Sequence, residues 1–288
     1  MKLSIITINF NNAEGLERTL NSVLSQTYDK IEHIIIDGGS TDNSVDVIKE
    51  YVRQLESGKW KVESVIWLSE KDKGIYDAMN KGVKKATGEY VWILNSGDCA
   101  ASSDTVEHMM EIIADTNIDI LLGNKIHVYP NDKKEYDSLP VKRIVDLQPR
   151  PIEVSMLTFY SGTIPQDAAF VRRDMFEKYG YFDDKLKICA DWKLYLNMIA
   201  LDGVQPWHVN IDVVLFDMTG ISNANIDLLK AEKRAYLQEL LPASVLIDYD
   251  RYHFPIEQYN RLKKYHLWPI VYFMERVLFK LNKWGLLK

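Results

Sequence analysis

Two aspartates stand where an apolar run of the sequence gives way to small residues. Asp37 opens the segment Asp37-Gly-Gly-Ser-Thr-Asp42, and Asp98 ends the segment Asn95-Ser-Gly-Asp98. Mg²⁺ and Mn²⁺ take oxygen ligands and are typically held by one or two carboxylates together with substrate phosphates. We therefore expect Asp98 to bind a metal ion, and the Asp37 carboxylate to accept hydrogen bonds from a base or a ribose. Both segments are also good turn sequences, and spacing alone leaves that interpretation open.

A third charged segment, Ser69-Glu-Lys-Asp-Lys-Gly74, leads into a predicted helix. Because the N-terminus of a helix favours anions, the backbone near Lys73 and Gly74 could face a phosphate group. Asp77 and Lys81 stand four residues apart on the same helix, and the alternative interpretation for them is a surface ion pair.

Asp191 is the candidate general base. It lies in Cys189-Ala-Asp-Trp192, where another helix is predicted to begin. A helix N-terminus stabilises the ionised carboxylate, which would then be ready to take a proton at neutral pH. The competing interpretation is that Asp191 is the N-cap of this helix, a position that Asp fills well.

These segments are joined by apolar, β-branched runs that alternate with amphipathic ones. Strands are predicted at 3–9, 31–36, 62–68 and 90–94, and helices at 11–26, 41–55, 74–86 and from 104 onward. Such alternation predicts an α/β fold with a parallel central sheet flanked by helices. Ligands bind these sheets at the carboxyl ends of the strands, which is where the polar segments fall.

The pattern is less regular further along the chain. Asp104-Thr-Val-Glu107 resembles a capping box for the fourth helix. From Gly123 to Thr163 the sequence holds four prolines and mixed charges, which predicts an irregular insertion or a mobile loop over the site. Beyond it we predict a strand at 168–171, a helix at 174–179 that stops at Gly180, and the helix that begins near Asp191.

Composition narrows the functional classes. The chain has 288 residues, 47% hydrophobic and 26% charged, which is typical of a globular protein. A net charge of -6 argues against a nucleic-acid binder. Two cysteines exclude a disulfide scaffold and suit a reducing cytoplasm, the expected location. The sequence contains no G-x-G-x-x-G after the first strand, no P-loop and no G-x-S-x-G elbow, so dinucleotide dehydrogenases, P-loop enzymes and α/β-hydrolases are unlikely classes.

The C-terminal segment differs in charge from the rest. From Asn260 to Lys288 there are seven Lys or Arg residues and one acidic residue, Glu275. Pro269 could start a helix that runs to Lys283 with an apolar face and a basic face. We predict a helical C-terminal extension over residues 226–288. Its last part, 260–288, either lies on anionic lipid at the inner face of the cell membrane or packs on the catalytic domain or a second subunit of a homodimer.

Five stretches, taken in order, resemble family 2 glycosyltransferases, which have the nucleotide-diphospho-sugar transferase (GT-A) fold. The resemblance covers roughly Lys2 to Ser222. Its most specific stretches are Ser4-Ile-Ile-Thr-Ile-Asn-Phe-Asn-Asn12, Ser22-Val-Leu-Ser-Gln-Thr-Tyr28, Ile35-Ile-Asp-Gly-Gly-Ser-Thr-Asp-Asn-Ser44, Ser69-Glu-Lys-Asp-Lys-Gly-Ile-Tyr-Asp-Ala-Met-Asn-Lys-Gly82 and Thr87-Gly-Glu-Tyr-Val-Trp-Ile-Leu-Asn-Ser-Gly-Asp98.

This resemblance implies one catalytic domain over 1–225, with a nucleotide-binding half at 1–122 and an acceptor half at 123–225. It implies inverting transfer of a sugar from a nucleotide-sugar donor, with UDP as the nucleotide, to a hydroxyl of a polysaccharide or lipid-linked saccharide precursor. Asp98 would hold Mg²⁺ or Mn²⁺, and Asp191 would be the general base. The residues implied to contact the donor are Thr7, Asn9, Asp37, Gly38, Glu70, Asp72, Lys73, Gly74, Asp77, Lys81, Asn95, Ser96 and Gly97.

The sequence departs from the family pattern at three points. Ser96 replaces the first aspartate of the family's Asp-x-Asp metal motif, and Thr219 replaces a glycine of a Gly-Gly-Ile-Ser loop. Gln166-Asp167 stands where close relatives often carry His-Gln. Two alternatives stay open: a catalytically inactive nucleotide-sugar-binding homologue, and a nucleotidyltransferase. The second would need a Gly-rich basic loop after the first strand, and Phe10-Asn-Asn-Ala13 is not one.

Overall fold

The computed structural model describes residues 1–130, 133–136, 148–219 and 225–283. Its contacts divide the chain into two units, Met1–Tyr236 and Leu237–Lys288. The sequence suggests a boundary after residue 225, whereas the division comes after residue 236. The physical reason is that Glu232, Lys233 and Tyr236 all hydrogen-bond to groups of the first unit.

A single mixed sheet organises the first unit. In chain order its strands are β1 (Leu3–Asn9), β2 (Ile31–Asp37), β3 (Val62–Ser69), β4 (Tyr90–Ile93), β5 (Cys99–Ala100), β6 (Ile120–Val128), β7 (Lys134–Tyr136), β8 (Arg150–Pro151), β9 (Ala169–Arg172) and β10 (Pro206–Asp217). Within the described residues they lie in the order β3-β2-β1-β4-β9-β6-β10-β5, with β7 beside β6 and β8 beside β10. The four strands β3, β2, β1 and β4 are parallel, as predicted, while β9 runs antiparallel to both its neighbours.

Helices cover this sheet, which confirms the predicted α/β class. In chain order, the helices of the described residues in both units are α1 (Ala13–Leu24), α2 (Ser44–Glu56), α3 (Ile75–Lys85), α4 (Thr105–Thr116), α5 (Met156–Ser161), α6 (Asp174–Tyr179), α7 (Ala190–Tyr195), α8 (Ile226–Leu240), α9 (Ala243–Lys264) and α10 (Trp268–Lys283). A 3₁₀ turn, Gln166–Ala168, precedes β9, and a π-helical turn, Leu196–Leu201, continues α7.

Strand direction gathers several chain segments at one edge of the sheet, which we call the carboxyl edge. Strands β1, β2 and β3 end there in register, with Asn9 opposite Asp37 and Asp37 opposite Ser69. Strands β6 and β10 also end there, with Val128 opposite Asp217. Because β9 is antiparallel, its first residue lies at this same edge.

The middle of the sheet is fixed by a buried aromatic pair. Trp92 of β4 stacks on Phe170 of β9 with ring centroids 5.1 Å apart, and both side chains are fully buried. The indole N–H of Trp92 also donates to the carbonyl of Asp167 at 2.7 Å. Burying a ring of this size stabilises the fold by roughly 1.5–3 kcal/mol, and here it also sets the end of β4 beside the start of β9.

Two predictions for the middle of the chain are wrong. The capping box at Asp104 does not form, because the Asp104 carboxylate accepts from the Ser102 hydroxyl and Glu107 accepts from Thr27. The segment 123–163 is not an irregular insertion throughout: it begins inside β6 and contains α5. The parts of that prediction at 131–132 and 137–147 lie outside the described residues.

The second unit is helical, in agreement with the predicted extension. Its last helix, α10, follows the predicted helix at 269–283, and much of its apolar surface is exposed, including Ile270, Phe273, Met274 and Val277. None of the helices in the described part of the chain is both long enough and apolar enough to cross a membrane.

Candidate active site

Asp37 is the centre of a hydrogen-bonded group at the ends of β1, β2 and β3. Its carboxylate accepts from the Asn9 amide at 2.8 Å, the Ser69 hydroxyl at 2.6 Å and the Ser40 backbone N–H at 3.0 Å. Burial alone would raise the pKa of Asp37, but these hydrogen bonds outweigh it and hold the pKa below its usual value. Asp37 is therefore an ionised acceptor in a fixed position at the carboxyl edge.

The loop from Glu70 to Gly74 lies against this group. The Glu70 N–H donates to the Asp37 carbonyl at 3.0 Å, and Asp72 Oδ1 accepts from the Gly74 N–H at 3.0 Å. A Cβ atom at Gly38 would lie 2.4 Å from the Asp72 carboxylate, so glycine is what allows this close approach. The predicted donor-binding residues of both loops thus lie side by side.

Lys81 ties α3 to the same loop. Its ammonium lies 2.8 Å from Glu70 and 3.2 Å from Asp77, so the ion pair that the sequence offered as an alternative is present. Asp77 also accepts from the Lys73 backbone N–H at 3.0 Å. This part of the helix N-terminus is therefore already occupied by the protein's own carboxylate.

Thr7 differs from the other predicted donor contacts. It lies inside β1, is 0% exposed, and its hydroxyl is 3.0 Å from the His33 ring. Burial lowers the pKa of His33 to about 3, so that ring is neutral. The side chain of Thr7 supports the sheet in this arrangement, and its contact with a nucleotide stays a prediction.

The segment after β4 turns sharply at Gly97 to bring Asp98 to the edge. Gly97 has φ +107°, a conformation that favours glycine, and its N–H donates to Thr19 Oγ1 at 2.9 Å. The Ser96 hydroxyl accepts from the Asn12 amide at 3.2 Å. The side-chain oxygen of Asn95 is buried and has no hydrogen-bond partner among the described residues.

Asp98 has the electrostatic surroundings of a cation site. It is 4% exposed and accepts from the Asp217 N–H at 2.9 Å. Burial is the main cause that raises the pKa of Asp98 well above its usual value; the charges of Asp167 and Asp217 add to this, and Lys125 opposes it. A divalent cation would relieve both the desolvation and the repulsion.

No cluster of three or more His, Cys, Asp or Glu residues arranged to hold a metal occurs in the described ranges. The site therefore fits a metal ion that takes one carboxylate from Asp98 and fills its other positions with phosphate oxygens and water.

A buried ion pair lies next to Asp98. Lys125 of β6 is 2.6 Å from Asp167, and the two side chains are only 12% and 7% exposed. The Lys125 ammonium also lies 3.4 Å from the ring centroid of Phe216 of β10. Strands β6, β9 and β10 thus each contribute to the carboxyl edge beside the segment that carries Asp98.

Asp191 is the second residue of α7 and not its N-cap, which is Cys189. Its carboxylate accepts from the Tyr76 hydroxyl at 2.8 Å. Burial is the main cause that raises the pKa of Asp191, and the charge of Asp167 adds to it; the hydrogen bond from Tyr76 and the charge of Lys233 lower it. Asp191 is thus a half-buried carboxylate with an increased affinity for a proton, as a general base requires.

The first turns of α8 hold α7 in place. Lys233 donates to the Gly162 carbonyl at 3.0 Å, and the Tyr236 hydroxyl donates to Asn197 at 2.7 Å. The Glu232 carboxylate accepts from three consecutive backbone N–H groups, at 2.7, 3.0 and 3.3 Å, those of Lys187, Ile188 and Cys189. These contacts fix the position of Asp191, and the residues that make them lie beyond Ser222, where the family resemblance ends.

Asp98 and Asp191 are linked through Asp167, whose charge raises the pKa of both. Because Coulomb interactions weaken with distance, Asp167 must lie near each of them. Tyr76 also lines a cavity of about 250 Å³, with Lys73, Gly74, Ile188 and Leu228 in its wall. The structure therefore brings the candidate metal ligand, the candidate base and the loop before α3 to one region of the first unit.

The comparisons with known proteins agree with this geometry. The family model described as glycosyl transferase family 2 matches residues 4–180. The chain belongs to glycosyltransferase family 2. An uncharacterised glycosyltransferase of Mycobacterium tuberculosis is 33% identical over 226 residues, 77% of each chain. This chain is accordingly a glycosyltransferase, and the predicted family is confirmed.

Solved structures show the same fold at low identity. Staphylococcus aureus TarS, residues 1–349 with UDP bound, matches with a TM-score of 0.62 and 19% identity over 91% of this glycosyltransferase and 74% of that chain. Of a longer TarS chain, this glycosyltransferase covers 37%. A mannosyltransferase of Pyrobaculum calidifontis in complex with GDP-Man and Mn²⁺ matches with a TM-score of 0.55 and 18% identity, over 75% and 56% of the two chains.

Sequence reasoning missed four residues of this region: Lys125, Asp217, Tyr76 and Glu232. Tyr76 could have been found, since it stands next to Asp77 within a stretch that carries the family resemblance. Lys125 and Asp217 lie near the ends of β6 and β10, so recognition of those two strands would have pointed to them. Glu232 gave no signal, because its role depends on how α8 packs.

Proposed function

We propose that this glycosyltransferase moves a sugar from a nucleoside-diphosphate donor, with UDP as the nucleotide, to a hydroxyl of a polysaccharide or lipid-linked saccharide precursor, with inversion at the anomeric carbon. Asp191 is the general base and Asp98 the metal ligand. The proposal rests on one observation: the Asp191 carboxylate is hydrogen-bonded at 2.8 Å to Tyr76 of α3, the helix that directly follows the Glu70–Gly74 loop at the carboxyl edge. Complexes of structurally similar proteins with UDP, or with GDP-Man and Mn²⁺, support it.

The chemistry follows from the positions of these groups. A bound Mg²⁺ or Mn²⁺ would supply positive charge for the diphosphate oxygens of the leaving group. Asp98 holds that charge at the carboxyl edge, and the loops around Asp37 and Asp72 bind the nucleoside. Asp191 takes the proton from the acceptor hydroxyl as it attacks, and a single base on the face opposite the leaving group gives inversion.

A donor screen tests the proposal. We expect a UDP-sugar to raise the melting temperature of the protein more with Mn²⁺ than with EDTA, because a ligand that binds the native state stabilises it. Release of UDP should then be slow without acceptor and faster with saccharide acceptors. Binding without turnover under any of these conditions would favour the inactive homologue, and release of pyrophosphate from UTP and a sugar phosphate would favour the nucleotidyltransferase.

Tyr76 gives a prediction about pH dependence. The base works as a carboxylate, so activity is lost as the pH falls through the pKa of Asp191. The Tyr76 hydrogen bond lowers that pKa, so in Tyr76→Phe we expect the acidic limb of the kcat/KM profile to move up by roughly 1–2 pH units. Tyr90→Phe is the matched control because its buried hydroxyl donates to the Ile118 carbonyl and not to the base. Identical profiles for Tyr76→Phe and the wild type would contradict the role of Tyr76.

We further propose that the protein is cytoplasmic and that its C-terminal segment binds the membrane surface peripherally. In α10, Ile270, Phe273, Met274 and Val277 recur at helical spacing and are 57%, 67%, 57% and 38% exposed. Arg276 and Lys280 lie on the same helix, and the segment 260–288 carries a net positive charge. Exposed apolar side chains next to basic ones suit the interface of an anionic bilayer.

Vesicle co-sedimentation checks this surface. The vesicles contain phosphatidylglycerol and phosphatidylcholine, and the measured quantity is the membrane partition constant. We expect the double variant Phe273→Ser/Phe279→Ser to lower this constant by roughly 10-fold or more, because two rings no longer enter the bilayer. Trp60→Ser removes an exposed ring from the first unit and should leave binding unchanged. The membrane proposal would be contradicted if the double variant and the wild type bound vesicles equally. It would also be contradicted if the double variant lost a homodimer but kept its vesicle binding.

A further inference from the structure

The ion pair of Lys125 and Asp167 leaves one buried oxygen without a partner. Lys125 lies 2.6 Å from Oδ2 of Asp167. The other carboxylate oxygen, Oδ1, is buried and accepts no hydrogen bond from any of the residues that the structure describes. Asp167 as a whole is 5% exposed. A buried carboxylate oxygen that lacks a donor is costly, and such groups in native proteins are usually satisfied by a ligand, an ion or water.

The position of Asp167 is set by rigid parts of the fold. Its carbonyl accepts from the buried Trp92 indole at 2.7 Å, and the neighbouring Gln166 amide donates to the Ile93 carbonyl at 3.3 Å. The residue thus sits where β9 begins beside the end of β4, next to the turn that carries Asp98. Its backbone has little freedom to move the carboxylate away from this place.

Asp167 also lies near both ends of the proposed reaction. Its charge acts on Asp98, which would hold the diphosphate through a metal ion, and on Asp191, which would act on the acceptor. A donor molecule that spans these two groups has its sugar ring between them. The hydroxyl groups of a sugar are the hydrogen-bond donors that an unpartnered carboxylate oxygen needs.

We propose that Oδ1 of Asp167 accepts a hydrogen bond from a hydroxyl of the donor sugar, and that Lys125 holds the carboxylate in place for it. This inference rests on the proposed function, since it assigns the sugar subsite of the same donor site. It makes Asp167 a residue that selects and orients the sugar, while the nucleotide is bound elsewhere at the carboxyl edge.

The test compares nucleotides with and without a sugar. Titration calorimetry with Mn²⁺ would measure the affinities of UDP, UDP-glucose, UDP-galactose, UDP-N-acetylglucosamine, GDP and GDP-mannose for the full chain. We expect the wild type to bind its preferred nucleotide sugar more tightly than the matching nucleotide. In Asp167→Asn this sugar-dependent gain should fall by roughly 10–100-fold, the size expected for a hydrogen bond to a charged group. The affinity for the nucleotide alone should change by less than about tenfold, because the Asp167 charge also acts on Asp98.

Two further variants keep the result interpretable. Lys125→Met/Asp167→Asn removes both charges, which avoids a buried unpaired lysine if the single variant unfolds. Asp119→Asn is the matched control: Asp119 makes a 2.6 Å ion pair with Arg172 next to the opposite end of β6, and its loss should leave the sugar-dependent gain unchanged.

The outcomes separate the inference from the proposed function. The inference is overturned if the folded Asp167 variants keep the whole difference in affinity between nucleotide sugar and nucleotide, or if the wild type shows no such difference. Asp167 then does not bind the sugar, whereas the donor site itself stands. If the wild type binds neither nucleotides nor nucleotide sugars, the proposed function fails first.

Discussion

Asp191→Asn is expected to lower turnover by roughly 10²–10⁴-fold, the usual contribution of a positioned general base. Asparagine has nearly the shape of aspartate and its side-chain oxygen can still accept from Tyr76, so the site should keep its geometry. Its amide cannot take a proton from the acceptor. The measurement is the rate of UDP release in the presence of acceptor, together with calorimetry that shows the donor still bound.

The matched control lies against the same helix. Asp183 forms a 2.7 Å ion pair with Lys193 of α7, and its other carboxylate oxygen accepts from the Lys185 N–H at 3.1 Å. Asp183→Asn should therefore change turnover by less than about threefold. Normal transfer by a folded Asp191→Asn enzyme, or equal losses in both variants, would show that Asp191 is not the base.

The first half of the fold was predictable because of how a parallel sheet is buried. Every residue of β1, β2 and β4 is buried, and most of these residues are apolar, so the sequence displays the strands directly. Their ends were predicted to within one residue. Since parallel strands all present their carboxyl ends at one edge, the location of Asn9, Asp37 and Asp98 at that edge followed from the same pattern.

The strand β10 was missed because it carries polar residues inside the sheet. Its sequence places His208, Asn210 and Asp212 between apolar residues. The structure satisfies two of them across the sheet, where the Asn124 amide donates to Asn210 at 3.0 Å and to Asp212 at 2.9 Å. Register shifts around Asp212 break the pattern further. The polar residues nevertheless alternate with apolar ones from Trp207 to Val213, and this spacing is itself typical of a strand, so β10 could have been predicted from the sequence.

The ion pair of Lys125 and Asp167 was beyond sequence reasoning, because it depends on which strands lie next to each other in the sheet. The sequence marked Asp167 as a departure from the family pattern, but its partner stands 42 residues away on a strand that was predicted to be an irregular segment. In contrast, Asp98 and Asp191 could be proposed as metal ligand and general base from short motifs. Short-range patterns therefore located the carboxylates, whereas the basic residue that pairs with Asp167 became apparent only from the fold.

Removal of the Asp98 carboxylate should abolish the dependence of donor binding on the metal ion. We expect Asp98→Asn to lose roughly 10²-fold of the UDP affinity that Mn²⁺ provides, because the metal would lose its one protein carboxylate. The pKa of Asp98 is raised, mainly by burial, so protons should compete with the metal ion for this carboxylate. In the wild type, the increase in UDP affinity that Mn²⁺ provides should therefore decline as the pH falls through that raised pKa. In Asp98→Asn this increase should be small at every pH. Calorimetry of UDP with Mn²⁺ and with EDTA across a pH series measures both effects.

Asp217→Asn distinguishes a metal ligand from a nearby charge. Asp217 lies at the same edge, but its oxygens already accept from Thr219 at 2.7 Å and from Arg18 at 3.3 Å. It adds negative charge near Asp98, and each of its oxygens already has a hydrogen-bond donor. Its loss should therefore weaken Mn²⁺-dependent binding by less than about tenfold, as for a partly screened charge. A larger loss of Mn²⁺-dependent UDP affinity in Asp217→Asn than in Asp98→Asn would show that Asp217 is the metal ligand. Unchanged Mn²⁺ dependence in both variants would mean that this glycosyltransferase binds its donor without a metal ion at this edge.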